Sequence, residues 1–132
     1  RAADAAIDLA RRYSAKLYIT AVAEWQDART DEELERFLEI EQLSKEEFVI
    51  AESVKDILED AKNLARAAGL QDVTLIPRIG KPARSILQTA ESMHVELIVM
   101  GTRGRGEIEG LMLGSVSHRV AGAAKCACLL IR

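Results

Sequence analysis

Short β-prone runs alternate with amphipathic helical stretches along the whole sequence, and this alternation constrains the fold more than any other feature. The β-prone runs are 16–22, 73–79, 97–100 and 126–131. Apolar residues at helical spacing occupy 1–14, 51–68, 82–93 and 115–124. An α-β-α-β-α-β-α-β order favours right-handed crossovers. It predicts a three-layer α/β sandwich, in which helices cover both faces of a parallel, doubly wound sheet.

Local signals place the ends of the helices. They are capping boxes at Thr30/Glu33 and Ser44/Glu47, a closing Gly69, and the turn Gly80-Lys81-Pro82 with its proline in a helical first turn. The longest helix is predicted to bury one face: Ala51, Val54, Ile57, Leu58, Ala61, Leu64, Ala65 and Ala68. The run 97–100 is apolar throughout, which predicts a strand covered on both faces.

Composition and charge exclude several classes of protein. A net charge of −3 and the lack of a basic stripe argue against nucleic acid as a partner. The apolar runs are far shorter than the roughly 18 residues that a membrane span needs, and there is no signal-peptide pattern. Cys126 and Cys128 are interpreted as buried free thiols, since no further cysteine could complete a zinc site. We therefore expect a cytoplasmic protein that binds neither membranes nor nucleic acid.

A glycine-rich stretch follows the most apolar strand. Five of the eight glycines lie between Gly101 and Gly114, where a loop leaves the carboxyl end of a predicted parallel strand. Open α/β sheets bind ligands at this edge, and glycine lets backbone amides approach an anion closely. A helix opens at Ser115, which provides candidate groups for holding a phosphate. They are the amides of Gly114, Ser115, Val116 and Ser117, the two serine hydroxyls, and the charge of Arg103 and Arg105.

Two well-known phosphate motifs are absent. A P-loop needs lysine after its second glycine, whereas Gly106 is followed by Glu107. The dinucleotide fingerprint fails because Glu109 stands where its third glycine should be. Glycine content alone leaves a phosphate site and a flexible connector equally open.

The spacing of the glycines resembles the signature of the universal stress protein family, Gly-x2-Gly-x9-Gly-Ser/Thr. It is matched by Gly101, Gly104, Gly114 and Ser115. The resemblance extends to residues 3–22, to the turn at 80–82 and to the last strand, which ends at Arg132. It covers nearly the whole chain and implies a single, N-terminally incomplete domain over 1–132.

The resemblance is to the ATP-binding subgroup of that family. It implies that the ribose and phosphates of ATP, with or without Mg²⁺, lie at Gly101, Gly104, Gly114, Ser115, Val116 and Ser117, with Val22 and Met100 flanking the nucleotide. It also implies a homodimer formed through the C-terminal strand, residues 126–132, whose apolar edge invites pairing with another chain.

One family feature is missing from the sequence. Family members begin with a strand that ends in an aspartate, which contacts the ribose or a metal. That strand lies centrally in a five-stranded sheet, between the strands formed here by 16–22 and 97–100. We expect residues upstream of Arg1, or another segment, to fill this gap, and the aspartate is not assigned.

The sequence thus favours an ATP-binding stress-response protein in which nucleotide occupancy alters the dimer or a partner surface, with at most slow ATP hydrolysis. Two alternatives stay open: a dimeric interaction module that binds no nucleotide, and a regulatory domain of a larger protein. A phosphohydrolase or nucleotidyl transferase is the weakest hypothesis, because no acid–base pair can be named. His94 and His118 are interpreted as structural or solvated rather than catalytic.

Overall fold

Helices and strands alternate as the sequence predicts. The computed structural model describes residues 2–24, 44–102 and 114–132, without the side chains of 24 and 44–53. Its elements are α1 (Ala2–Tyr13), β1 (Leu17–Glu24), α2 (Ser44–Ala67), β2 (Val73–Gly80), α3 (Pro82–Ser92), β3 (Leu97–Gly101), α4 (Ser115–Ala123) and β4 (Ala127–Ile131). The helix predicted to start at Thr30 lies outside the described residues.

The strands form two parallel ladders. β1 pairs with β2 from Leu17 opposite Val73 to Glu24 opposite Gly80. β3 pairs with β4 from Leu97 opposite Ala127 to Gly101 opposite Ile131. Helices α1 and α2 contact each other, as do α3 and α4, and both α2 and α3 pack on β1 and β2. The helices therefore lie on both faces of the strands, which confirms the predicted three-layer α/β class.

A cleft separates the two ladders. Among the described strands, no hydrogen-bonded ladder joins β1 to β3. A cavity of about 170 Å³ lies between them, with Ile19 on one side, Val99 on the other, and Ile7 and Ile86 contributed by the helices. The gap lies where the resemblance places a further strand. It also overturns one prediction, because Leu97 borders the cleft and is 39% exposed rather than covered on both faces.

Helix α2 supplies much of the core, although its buried stripe is narrower than predicted. Ala65 packs in a buried cluster with residues of α1, and both Val54 and Leu58 pack in a second cluster with Ala23 of β1. Ile57 and Leu64 were predicted to be buried and are instead 48% and 52% exposed. At 100° per residue they lie roughly 60–80° around the helix from Val54, at the margin of the face that meets the sheet.

The predicted glycine cap of α2 is confirmed. Gly69 has φ of 95°, its amide donates to Arg66 O at 2.9 Å, and the Leu70 amide donates to Ala65 O at 3.0 Å. This pair of bonds is the Schellman motif, which requires the left-handed conformation that glycine adopts without strain. Leu70 and Ala65 also share the buried cluster, so the motif fixes where the chain leaves α2 for β2.

Proline begins α3 as predicted. Pro82 is at the start of the helix after the N-cap residue Lys81, where a missing amide proton has no cost. Gly80, two residues before Pro82, has φ of 139°. The end of β2 therefore turns directly into a helix that packs on the sheet.

Candidate phosphate-binding site

The candidate site lies where β3 ends and α4 begins. Met100 and Gly101 are the last residues of β3, and Gly114 is the N-cap residue of α4. Thr102 follows the strand and is 6% exposed. Arg103 and Gly104, which the sequence also assigns to this site, lie outside the described residues.

Backbone hydrogen bonds hold the two elements together. The Thr102 carbonyl oxygen accepts from the Gly114 amide at 2.6 Å, and the Thr102 amide donates to Ile131 O at 2.8 Å. The end of β3 is thereby joined on one side to β4 and on the other to the start of α4. The residues on either side of 103–113 consequently meet in space.

The first turn of α4 has the geometry of an anion site. Gly114 has extended φ and ψ of −71° and 164°, and the intrahelical bonds begin with the His118 amide, which donates to Gly114 O at 3.0 Å. The amides of Val116 and Ser117 come before that bond, and a glycine N-cap has no side chain to accept from them. These amides and the positive end of the helix dipole favour a negatively charged group.

The hydroxyl of Ser117 is committed to the protein. Its Oγ lies 2.9 Å from Thr102 O and 3.1 Å from Gly114 O, and the residue is 2% exposed. Sequence reasoning offered this hydroxyl to the phosphate, whereas in this structure its proton is directed to these two carbonyl oxygens. Ser115, the other serine whose hydroxyl the sequence offers, lies at the exposed start of the helix.

The predicted site residues divide between the two ladders. Gly101, Gly114, Ser115, Val116 and Ser117 lie together around Thr102. Val22 belongs to the other ladder, where it is opposite Arg78 near the carboxyl end of β1. Sequence reasoning missed Thr102, because its backbone carbonyl oxygen joins the two elements. Every residue has such an oxygen, so the amino-acid sequence does not indicate which one is used.

Metal ligation and thiol chemistry find little support in the described part of the chain. No group of three or more His, Cys, Asp or Glu residues there could hold a metal ion. Cys126 and Cys128 are free, as predicted, but half-buried rather than buried. Burial raises the pKa of Cys128, and the neighbouring Cys126 adds to the effect. A raised pKa keeps the thiol protonated, which makes Cys128 a poor nucleophile and metal ligand.

Comparisons with known proteins place the chain in a family. The model of the universal stress protein family matches residues 1–132. Universal stress protein YxiE of Bacillus subtilis is 36% identical over 135 residues, which cover 100% of the chain and 89% of the relative. The chain therefore belongs to the universal stress protein family.

Solved structures have the same fold. Universal stress protein UspA from Lactobacillus plantarum superposes with a TM-score of 0.78 at 23% identity, covering 99% of the chain and 87% of that protein. A universal stress protein crystallised in complex with cAMP has a TM-score of 0.70 at 29% identity, covering 100% of the chain and 87% of that protein. None of the described helices is long and apolar enough to cross a membrane.

Proposed function

We propose that the chain is a cytoplasmic, ATP-binding regulatory protein of the stress response, and that residues 1–132 form one universal stress protein domain. The observation that carries the proposal is the junction of β3 and α4, where a glycine N-cap is held against a strand end. Two further findings support the proposal: the complete spacing Gly101-x2-Gly104-x9-Gly114-Ser115, and the cAMP complex of a family member.

In this proposal the phosphates lie at the start of α4. The amides of Ser115, Val116 and Ser117 point toward the anion with the helix dipole behind them. Gly114 is buried, and a glycine there leaves room for a phosphate oxygen to approach the backbone. Gly101 and Gly104, with Arg103, lie toward the ribose and phosphates, and Met100 and Val22 flank the nucleotide at the ends of their strands.

Mg²⁺ enters the proposal only as an ion carried by the phosphates. Among the described residues, no cluster of three ligating side chains could hold a metal ion. No residue is assigned as a general base, and nucleotide occupancy rather than turnover is the proposed output, with at most slow hydrolysis.

The output surface is proposed to be a homodimer interface along β4 and the flanking residues of 126–132. Among the described strands β4 pairs only with β3, and an unpaired strand edge invites pairing with another chain. Leu129 on this strand is 37% exposed. A second copy of the chain would cover both.

Mass spectrometry of nucleotide released on denaturing the purified protein tests the function first, followed by calorimetry with ATP, AMP and cAMP, each with and without Mg²⁺. Bound ATP or micromolar affinity supports the proposal. Gly114→Val and Ser115→Ala should each lose affinity, and unchanged affinity in both variants would remove the phosphates from the start of α4. A folded protein that binds none of the three nucleotides would favour an interaction module.

A further inference from the structure

The Thr102 carbonyl oxygen accepts two hydrogen bonds from α4. One comes from the Gly114 amide at 2.6 Å and the other from the Ser117 hydroxyl at 2.9 Å. A carbonyl has two lone pairs, so these two donors use its full capacity. Thr102 and Ser117 are both almost fully buried, at 6% and 2% exposure, which makes a bond between them costly to lose.

The second bond differs from an ordinary serine contact inside a helix. A helical serine often donates to a carbonyl three or four residues earlier, and Ser117 has such a contact with Gly114 O at 3.1 Å. Its shorter contact, at 2.9 Å, crosses to Thr102, fifteen residues away in the chain. One hydroxyl has one proton, so the Ser117 proton is shared between a local carbonyl and one that belongs to the other element.

This bond helps to fix how the start of α4 is oriented on β3. Packing against α3 and the buried Val120 hold the rest of the helix, whereas the Gly114 amide holds a single point at its start. Ser117 is almost one turn further along, so a second attachment there constrains the direction of the helix axis. The direction of that axis determines where the N–H groups of Val116 and Ser117 point.

We propose that Ser117 is a positioning residue for the nucleotide phosphates, which acts through the hydrogen bond from its hydroxyl to Thr102 and not by touching the phosphate with that hydroxyl. This inference rests on the proposed function. Phosphate binding at a helix start depends on the direction of several amide N–H groups at once. A tilt of α4 therefore weakens the interaction with phosphate and leaves binding of the adenosine portion unchanged.

Three variants of the whole chain separate positioning from simple loss of stability. Ser117→Ala removes the hydroxyl, and Ser117→Thr restores one. Thr89→Val is the matched control, because the Thr89 hydroxyl is also buried and donates to a helix carbonyl, Ser85 O, at 2.8 Å within α3. Each variant is measured for hydrogen exchange of the Gly114 amide without nucleotide and for affinity toward ATP and adenosine.

The proposal expects Ser117→Ala to raise exchange at Gly114 and the Kd for ATP, each by roughly tenfold, the size of effect that one buried hydrogen bond gives. Adenosine affinity should hold, Ser117→Thr should recover both properties, and Thr89→Val should change neither. Native exchange and native ATP affinity in Ser117→Ala would overturn the proposal, as would equal losses in Thr89→Val. If the native protein binds no ATP, the proposed function fails, whereas exchange at Gly114 still decides whether the hydroxyl holds the junction.

Discussion

The Gly114 amide donates to the Thr102 carbonyl oxygen at 2.6 Å, across a separation of twelve residues in the chain. The bond places the start of α4 against the end of β3 in a universal stress protein fold. A negatively charged ligand at the carboxyl edge of the sheet would therefore meet backbone amides whose position is set by the strand.

Two leucines of α2 test how the core is distributed. Leu58→Ala should lower the free energy of unfolding by about 2–4 kcal/mol, because Leu58 is 4% exposed and its loss leaves a cavity against β1 and β2. Leu64→Ala makes the same chemical change on the same helix at 52% exposure and should cost about 1 kcal/mol or less. Urea unfolding of both variants measures the difference, and equal costs would contradict the described burial.

Two glycines test the importance of backbone conformation. An added Cβ at Gly69 or at Gly122 would meet no atom within 4 Å, so steric contact does not distinguish them. Gly69 has φ of 95°, and Gly69→Ala should destabilise the protein by about 1 kcal/mol. Gly122 lies inside α4, and Gly122→Ala should stabilise by about 0.5 kcal/mol. Thermal unfolding should show shifts of opposite sign, and a common sign would refute this account of the cap.

Cys128 tests the effect of burial on a thiol. Its raised pKa in the folded protein predicts slower alkylation by iodoacetamide at pH 8 than in urea-unfolded protein. Cys126→Ser leaves Cys128 as the only thiol, and burial, the larger cause of the shift, remains in that variant. The pH at half-maximal alkylation rate should be higher in the folded state, and a lower value would contradict the prediction.

The same shift fixes the sign of a dependence of stability on pH. The folded pKa lies above the unfolded one, so the contribution of Cys128 is fully present below the unfolded pKa and is lost as pH rises through the folded pKa. Cys128→Ser should therefore show a smaller loss of stability than the native protein on going from neutral to strongly alkaline pH. Chemical denaturation across that range measures the two slopes.

The proposed dimer makes a prediction about an exposed leucine. Leu129→Glu places a charge on β4 at a position that is 37% exposed and should convert the dimer to monomers. Leu64→Glu, at 52% exposure on α2, is the matched control and should leave the assembly state unchanged. Light scattering after size-exclusion chromatography measures both masses, and a monomeric native protein would remove the dimer from the account.

Hydrophobic periodicity predicted the helices and strands well, because the residues that an element buries recur with the period of that element. The helix and strand order, the Gly69 cap and Pro82 at the start of α3 are all signals carried by single residues or short repeats. The exposure of Leu97 was not predicted, since it depends on whether a strand lies beside β3. That is a property of the sheet, and the apolar run 97–100 is the same in either case.

The sequence predicted that α4 begins after the glycine-rich stretch that follows β3, but not the hydrogen bonds that join the two elements. Glycine spacing indicated the junction of β3 with α4, because a cluster of glycines after a strand lets backbone amides approach an anion closely. The sequence offered the Ser117 hydroxyl to the ligand and the structure directs it to the protein, since a hydroxyl beside a helix start can serve either. Thr102 was overlooked because its carbonyl oxygen, not its side chain, joins the two elements.

The central claim is that phosphate binds the amides at the start of α4, and amide chemical shifts from ¹⁵N-labelled protein titrated with ATP and with adenosine test it most directly. The account predicts large shifts of the Val116 and Ser117 amides with ATP that adenosine does not reproduce. Shifts confined to other parts of the protein, or equal shifts with both ligands at these two amides, would contradict it.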